Sequence, residues 1–86
     1  MRRWRSLRVL EASATLRVAL NSALEARSIA AALSADDEAL EDSIVKTRLE
    51  GLEVTVEVRH WGSSPIRGVR ALLDDVLRVL GALGVE

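Results

Sequence analysis

One stretch constrains this chain more than any other. From Leu52 to Arg59 apolar and polar residues alternate without a break: Leu52, Val54, Val56 and Val58 fall on one face, Glu53, Thr55, Glu57 and Arg59 on the other. Alternation with a period of two is the pleat of a β-strand that has one buried and one wet side. Such a strand needs a neighbour beside it and a cover over its apolar face. The neighbour comes just before it, over residues 43–49, with a turn at Glu50-Gly51. A third strand is predicted over 14–20, where Ala14, Leu16, Val18 and Leu20 oppose Thr15, Arg17 and Ala19. Leu7 and Val9 extend this pattern toward the N-terminus.

The cover comes from two helices. Ser22-Ala-Leu-Glu25 has capping-box spacing. The Ser22 hydroxyl can accept from the Glu25 N–H while the Glu25 carboxylate reaches back to the Ser22 N–H. A helix from about 23 to 33 follows, with Ala23, Ala26, Ile29, Ala30 and Leu33 apolar, small enough to lie close to a sheet. Ser64-Pro65 reads as N-cap and first helical residue, because proline lacks an N–H that would be orphaned there. The last helix is predicted from 65 to about 82, with Gly81 and Gly84 loosening its end. The acidic stretch 34–42, with Asp36, Asp37, Glu38, Glu41 and Asp42, reads as a loop, and Trp61-Gly62-Ser63 as a connector. The order β-α-β-β-α predicts an α+β two-layer sandwich, a three-stranded antiparallel sheet with two helices on one face. The expected layout is a single domain over 1–86, with 1–12 as a basic arm or strand extension and 13–86 as the α+β core.

Composition narrows the function. With 86 residues the chain is one small domain whose own core is thin. It has no Cys and one His, which disfavours thiolate or transition-metal sites and leaves no disulfide. Trp4 and Trp61 are the only aromatic residues, too few for binding that stacks bases on exposed rings. No window approaches the roughly 18 apolar residues of a membrane span, and a secretory signal is not expected. Cytoplasm is the expected compartment. Net charge is −1 but unevenly spread: Arg2, Arg3, Arg5 and Arg8 crowd the start while the acids crowd 36–42.

The last helix carries more apolar surface than one sheet requires. On a helical wheel Ile66, Val69, Leu72, Leu73, Val76, Leu77, Val79, Leu80 and Leu83 sweep about 160°, against the 100° or so typical of a helix lying on a sheet. Three strands and one Ala-rich helix offer little to cover so broad a stripe. Part of it is expected to meet another chain, as a homodimer or a hetero-complex. Arg67, Arg70, Asp74, Asp75 and Arg78 fill the remaining arc, with Asp74 and Arg78 spaced as an i,i+4 pair.

Residues able to do chemistry are few. His60 lies at a strand end without a nucleophile motif around it and reads as structural or surface. Asp74 and Asp75 are adjacent on a helix and diverge by about 100°, so they do not form a facing carboxylate pair. The acidic loop lacks the ligand spacing of a calcium loop. Gly81-Ala-Leu-Gly84 and Gly62-Ser-Ser-Pro-Ile-Arg-Gly68 lack the context of a nucleic-acid clamp or phosphate loop. No cofactor is expected, and the chain reads as no enzyme. Arg2, Arg3, Arg5 and Arg8 are the candidates for contact with RNA phosphates.

Several motifs, taken in order, carry a resemblance. These are the strand Ala14-Thr-Leu-Arg-Val-Ala-Leu20, the helix with Ala26, Ile29 and Leu33, an acidic loop, the hairpin from Lys46 through Gly51 to Glu57, and the helix segment Arg70-Ala-Leu-Leu-Asp-Asp-Val-Leu-Arg78. Over residues 13–83 the chain resembles the small Pcc-type subunit of the KEOPS complex, which attaches a threonylcarbamoyl group to adenosine beside the anticodon of tRNA. It departs from the family pattern at Ala35, where proline is usual, at Asp74, where Asn is expected, and at Ser63 and Ser64, where an acidic residue often stands. The resemblance implies a non-catalytic dimerisation subunit that binds the Kae-family threonylcarbamoyl transferase and helps engage tRNA. The contact residues it implies here are Ile66, Val69, Arg70, Leu73, Val76, Leu77 and Leu80. The alternative reading from the residues alone is a free-standing nucleic-acid-binding module using the N-terminal arginines.

Overall fold

A computed structural model describes residues 7–85. Its elements are β1 (Ala12–Ala19), α1 (Ala23–Ser34), β2 (Glu38–Ala39), β3 (Ser43–Glu50), β4 (Glu53–His60) and α2 (Pro65–Ala82). The strands form one antiparallel sheet in the order β1-β4-β3-β2, with the helices on a single face. The α+β two-layer class is as expected. The strand count is not, because the sheet has four strands rather than three.

The extra strand lies inside the acidic stretch expected to be a loop. Glu38 and Ala39 pair with Val45 and Ile44, and the Leu40 N–H donates to the Ser43 carbonyl. Asp37 anchors the segment: its carboxylate accepts from the Thr47 N–H at 2.9 Å and from the Thr47 hydroxyl at 2.6 Å. The Asp37 side chain thus satisfies the edge of β3 one residue before the backbone takes over.

The hairpin of β3 and β4 places Val45 opposite Val58 and Thr47 opposite Val56. Its turn is Gly51-Leu52, with Gly51 at φ +60, a conformation glycine adopts without steric cost. Leu52 therefore leaves the strand and lies exposed in the turn. On the other side β4 pairs with β1, Leu16 opposite Val56 and Ala14 opposite Val58. Val54, Val56 and Val58 are fully buried at the centre of the core.

α1 lies across β3 and β4, and α2 across β4 and β1. From α1 the core takes Ala26, Ile29, Ala30 and Leu33, and from α2 Pro65, Val69, Val76 and Leu80. The Ser22 hydroxyl accepts from the Glu25 N–H at 3.1 Å, as the capping box requires. The return bond differs from expectation: the Glu25 carboxylate accepts from the N–H of Asn21, one residue earlier than Ser22. Ser64 is the N-cap of α2 and Pro65 follows it, but the Ser64 side chain makes no capping hydrogen bond. Its backbone is left-handed, at φ 54 and ψ 60, rather than the extended conformation usual at an N-cap.

Candidate interaction surface

The structure divides the α2 stripe into three bands. Val69, Val76 and Leu80 form the middle band, pressed onto the sheet and buried in the chain's own core. These three leave the expected partner surface, because β4 and β1 already cover them. Leu72 and Val79 form a second band, facing α1 and packed against the core edge. Ile66, Leu73 and Leu77 form the third. Ile66 is 55% exposed and Leu77 46%, with Leu73 half-buried between them. Arg70 is exposed beside this ribbon.

The direction of the ribbon follows from the other bands. Leu72 and Val79 look toward α1, so residues about 100–140° around the helix look the opposite way. That way lies β1, an edge strand eight residues long. β1 pairs with β4 along one side only, and no described strand pairs with its other side. It carries no proline or bulge that would blunt the edge. An open strand edge and an uncovered apolar ribbon thus lie on one side of the molecule.

Leu7, Val9 and Leu10 precede β1 and are exposed. Arg8 and Val9 line a shallow pocket of about 470 Å³ with Ser64, Pro65, Ile66, Arg67 and Arg70. Arg8, Arg67 and Arg70 form no ion pair within the described residues. Arg2, Arg3 and Arg5 lie outside the described residues.

The open sheet face carries two ion pairs. Arg17 lies in a two-point contact with Glu53, at 3.1 and 3.0 Å, and this hydrogen bond and the Glu53 charge raise the guanidinium pKa above its ordinary value. Arg59 bonds Glu11 at 3.2 Å and lies over the Trp61 ring. On α2 the expected Asp74–Arg78 pair is replaced by Asp75–Arg78, at 3.1 Å and one residue closer.

His60, at the end of β4, sits where α2 comes closest to the sheet. Its Nδ1 accepts from the Gly62 N–H at 3.2 Å, and its Nε2 is 3.7 Å from the Asp42 carboxylate. A Cβ at Gly68 would land on the ring, so α2 approaches His60 to backbone contact. Trp61 completes the joint: its backbone N–H donates to the Asp42 carbonyl and its indole N–H to the Glu41 carbonyl. Nδ1 is thus held by a backbone bond, while Nε2 lies beyond hydrogen-bond distance of the Asp42 carboxylate. Among the described residues no group of His, Asp or Glu side chains is placed to hold a metal ion, and no helix is long and apolar enough to cross a membrane.

No protein family, curated protein or solved structure matches this chain.

Proposed function

We propose that this chain is a non-catalytic, dimerising scaffold subunit of the Pcc type, acting in the cytoplasm within a complex that adds threonylcarbamoyl to tRNA adenosine. The observation that carries the reading is the Ile66–Leu73–Leu77 ribbon lying beside the open edge of β1. A second copy turned about a two-fold axis would satisfy both at once. Its β1 would run antiparallel to this one, extending the sheet, and the two α2 ribbons would meet above the seam. The strand-helix order and the hairpin and helix motifs that resemble the family support the same assignment.

The test is the mass in solution and what the chain captures. Light scattering at micromolar concentration should give twice the mass of one chain, and Leu77→Asp with Leu73→Asp should halve it. The parent chain should co-purify with a Kae-family transferase. A parent that stays at single-chain mass and captures no transferase would overturn the reading.

A second reading rests on Arg8, Arg67 and Arg70, which converge on one pocket without ion-pair partners among the described residues. Here the chain is a free-standing nucleic-acid-binding module, with the N-terminal arginines extending the basic surface. It should then shift RNA alone at moderate salt, with an affinity that falls steeply as salt rises. The scaffold should do so only within its complex.

A further inference from the structure

The pocket between the segment before β1 and the start of α2 holds charge of one sign. Arg8 lines it from that segment, and Arg67 and Arg70 line it from α2, three residues apart and so on one face of the helix. No carboxylate and no histidine lines it. This sets it apart in a chain with 13 acidic residues against 12 basic ones, where Arg17, Arg59 and Arg78 each meet a carboxylate. Guanidinium groups gathered around one space repel each other unless an anion lies between them. Ser64 adds a hydroxyl to the wall, and that hydroxyl makes no capping bond to α2. Val9, Pro65 and Ile66 supply an apolar side.

We infer that this pocket binds a phosphomonoester, either the phosphate of a mononucleotide or the terminal phosphate of an RNA strand. Charge, geometry and neighbouring sequence select that ligand. A phosphomonoester carries about −1.5 to −2 charges near pH 7, so it neutralises three cations better than a singly charged diester does. Arginine N–H groups donate in pairs to phosphate oxygens, and a terminal phosphate presents three free oxygens where a chain phosphate presents two. Arg2, Arg3 and Arg5 precede Arg8 in sequence, and no acidic residue occurs before Glu11. A strand whose end sits in the pocket has further phosphates for that segment to meet, which favours a nucleic acid over a phosphorylated peptide. The inference rests on the basic pocket of the second reading. It narrows that reading from a surface that follows any nucleic-acid chain to a site that recognises one phosphate.

The test uses the full chain and a short single-stranded RNA carrying fluorescein at its 3′ end, followed by anisotropy at about 0.1 M salt. The strand with a 5′-phosphate should bind about ten-fold tighter than the same strand with a 5′-hydroxyl. Arg67→Gln with Arg70→Gln should remove that difference, and Arg8→Gln should reduce it. Arg27→Gln with Arg48→Gln, at exposed positions that do not line the pocket, should leave it unchanged. Lowering the pH from about 7.5 to about 5 should shrink it, because the monoester loses its second charge near pH 6 while the diesters keep theirs. AMP should displace the phosphorylated strand where adenosine does not. AMP that binds as tightly as the strand assigns the site to a mononucleotide, and weaker AMP binding assigns it to a strand end. The chain with Leu73→Asp and Leu77→Asp should keep the difference, since neither residue lines the pocket, and its mass reports on the dimer separately. RNA binding without preference for the phosphorylated end overturns the inference and leaves the second reading standing. AMP binding without RNA binding does the reverse. A preference that survives the Arg67 and Arg70 replacements also overturns the inference, as does a phosphoserine peptide that binds as tightly as the strand.

Discussion

The two helices lie on one sheet and solve the same problem differently. α1 meets the sheet with Ala26, Ile29, Ala30 and Leu33, all buried, so its inward face is used up within this chain. α2 buries Val69, Val76 and Leu80 and still leaves Ile66 and Leu77 about half exposed on one side and a groove toward α1 on the other. The difference is side-chain size against available cover. Small residues let α1 sit close to the sheet, and a strip one residue wide then suffices. The eight large apolar residues of α2, with Leu83 at its C-cap, exceed what β4 and β1 can reach. Scattered single exposed apolar residues need no explanation, but a contiguous ribbon on one of the two helices is the surface the proposed second copy would cover.

Truncating one residue on each helix gives the sharpest test of this contrast. Leu33→Ala removes a side chain that is 3% exposed and should cost about 2–5 kcal/mol in urea unfolding. Leu77→Ala should cost about 0.5 kcal/mol or less at low protein concentration, as at other surface positions. At high concentration the parent should gain stability through mass action and the Leu77→Ala chain should not. Equal losses from the two substitutions at low concentration would break the contrast and return Leu77 to the chain's own core.

A second substitution asks what fixes α2 in place. Gly68 lies against the His60 ring with no room for a methyl group. Gly68→Ala should cost about 1–3 kcal/mol through the shift it forces on the helix, although alanine is the better helix former. Gly81 has open space around it, so Gly81→Ala should stabilise by up to about 1 kcal/mol. If both changes stabilise, α2 is not seated on His60 and its ribbon is free to rotate toward the sheet.

These two cases also show what a sequence does and does not disclose. The alternation in β4, the turn glycine at 51 and both helix starts are local, and each was readable from neighbours in the chain. The width of the α2 stripe was readable too. Its partition was not, because the rotation of a helix about its axis is set by which residues find a seat on β4 and β1. Sequence alone therefore gives no ground to separate Val69, Val76 and Leu80 from Ile66, Arg70, Leu73 and Leu77. β2 escaped notice because two residues show no period and Glu38-Ala39 has no strand propensity. It is held by the Asp37–Thr47 contact, which spans ten residues. The groove needs Leu33, Val45 and Leu72 at once, and nothing local joins them. Asp36 and Glu38 read as charges in sequence, and only the fold puts them at its rim.

The smallest expected effect separates the two helix starts. Both begin with serine, yet only Ser22 caps with its side chain. Ser22→Ala should therefore cost about 1 kcal/mol, while Ser64→Ala should cost little because there is no side-chain bond to lose. Ser64 instead holds a left-handed backbone, which disfavours any residue with a Cβ by roughly 1–2 kcal/mol. Ser64→Gly should relieve that strain and, after the added freedom of glycine in the unfolded chain, leave a gain of up to about 1 kcal/mol. Thermal unfolding of the three variants beside the parent reads all of this in one series. A loss at Ser64→Ala matching that at Ser22→Ala would mean that the hydroxyl does cap α2, and that the two helices begin in the same way.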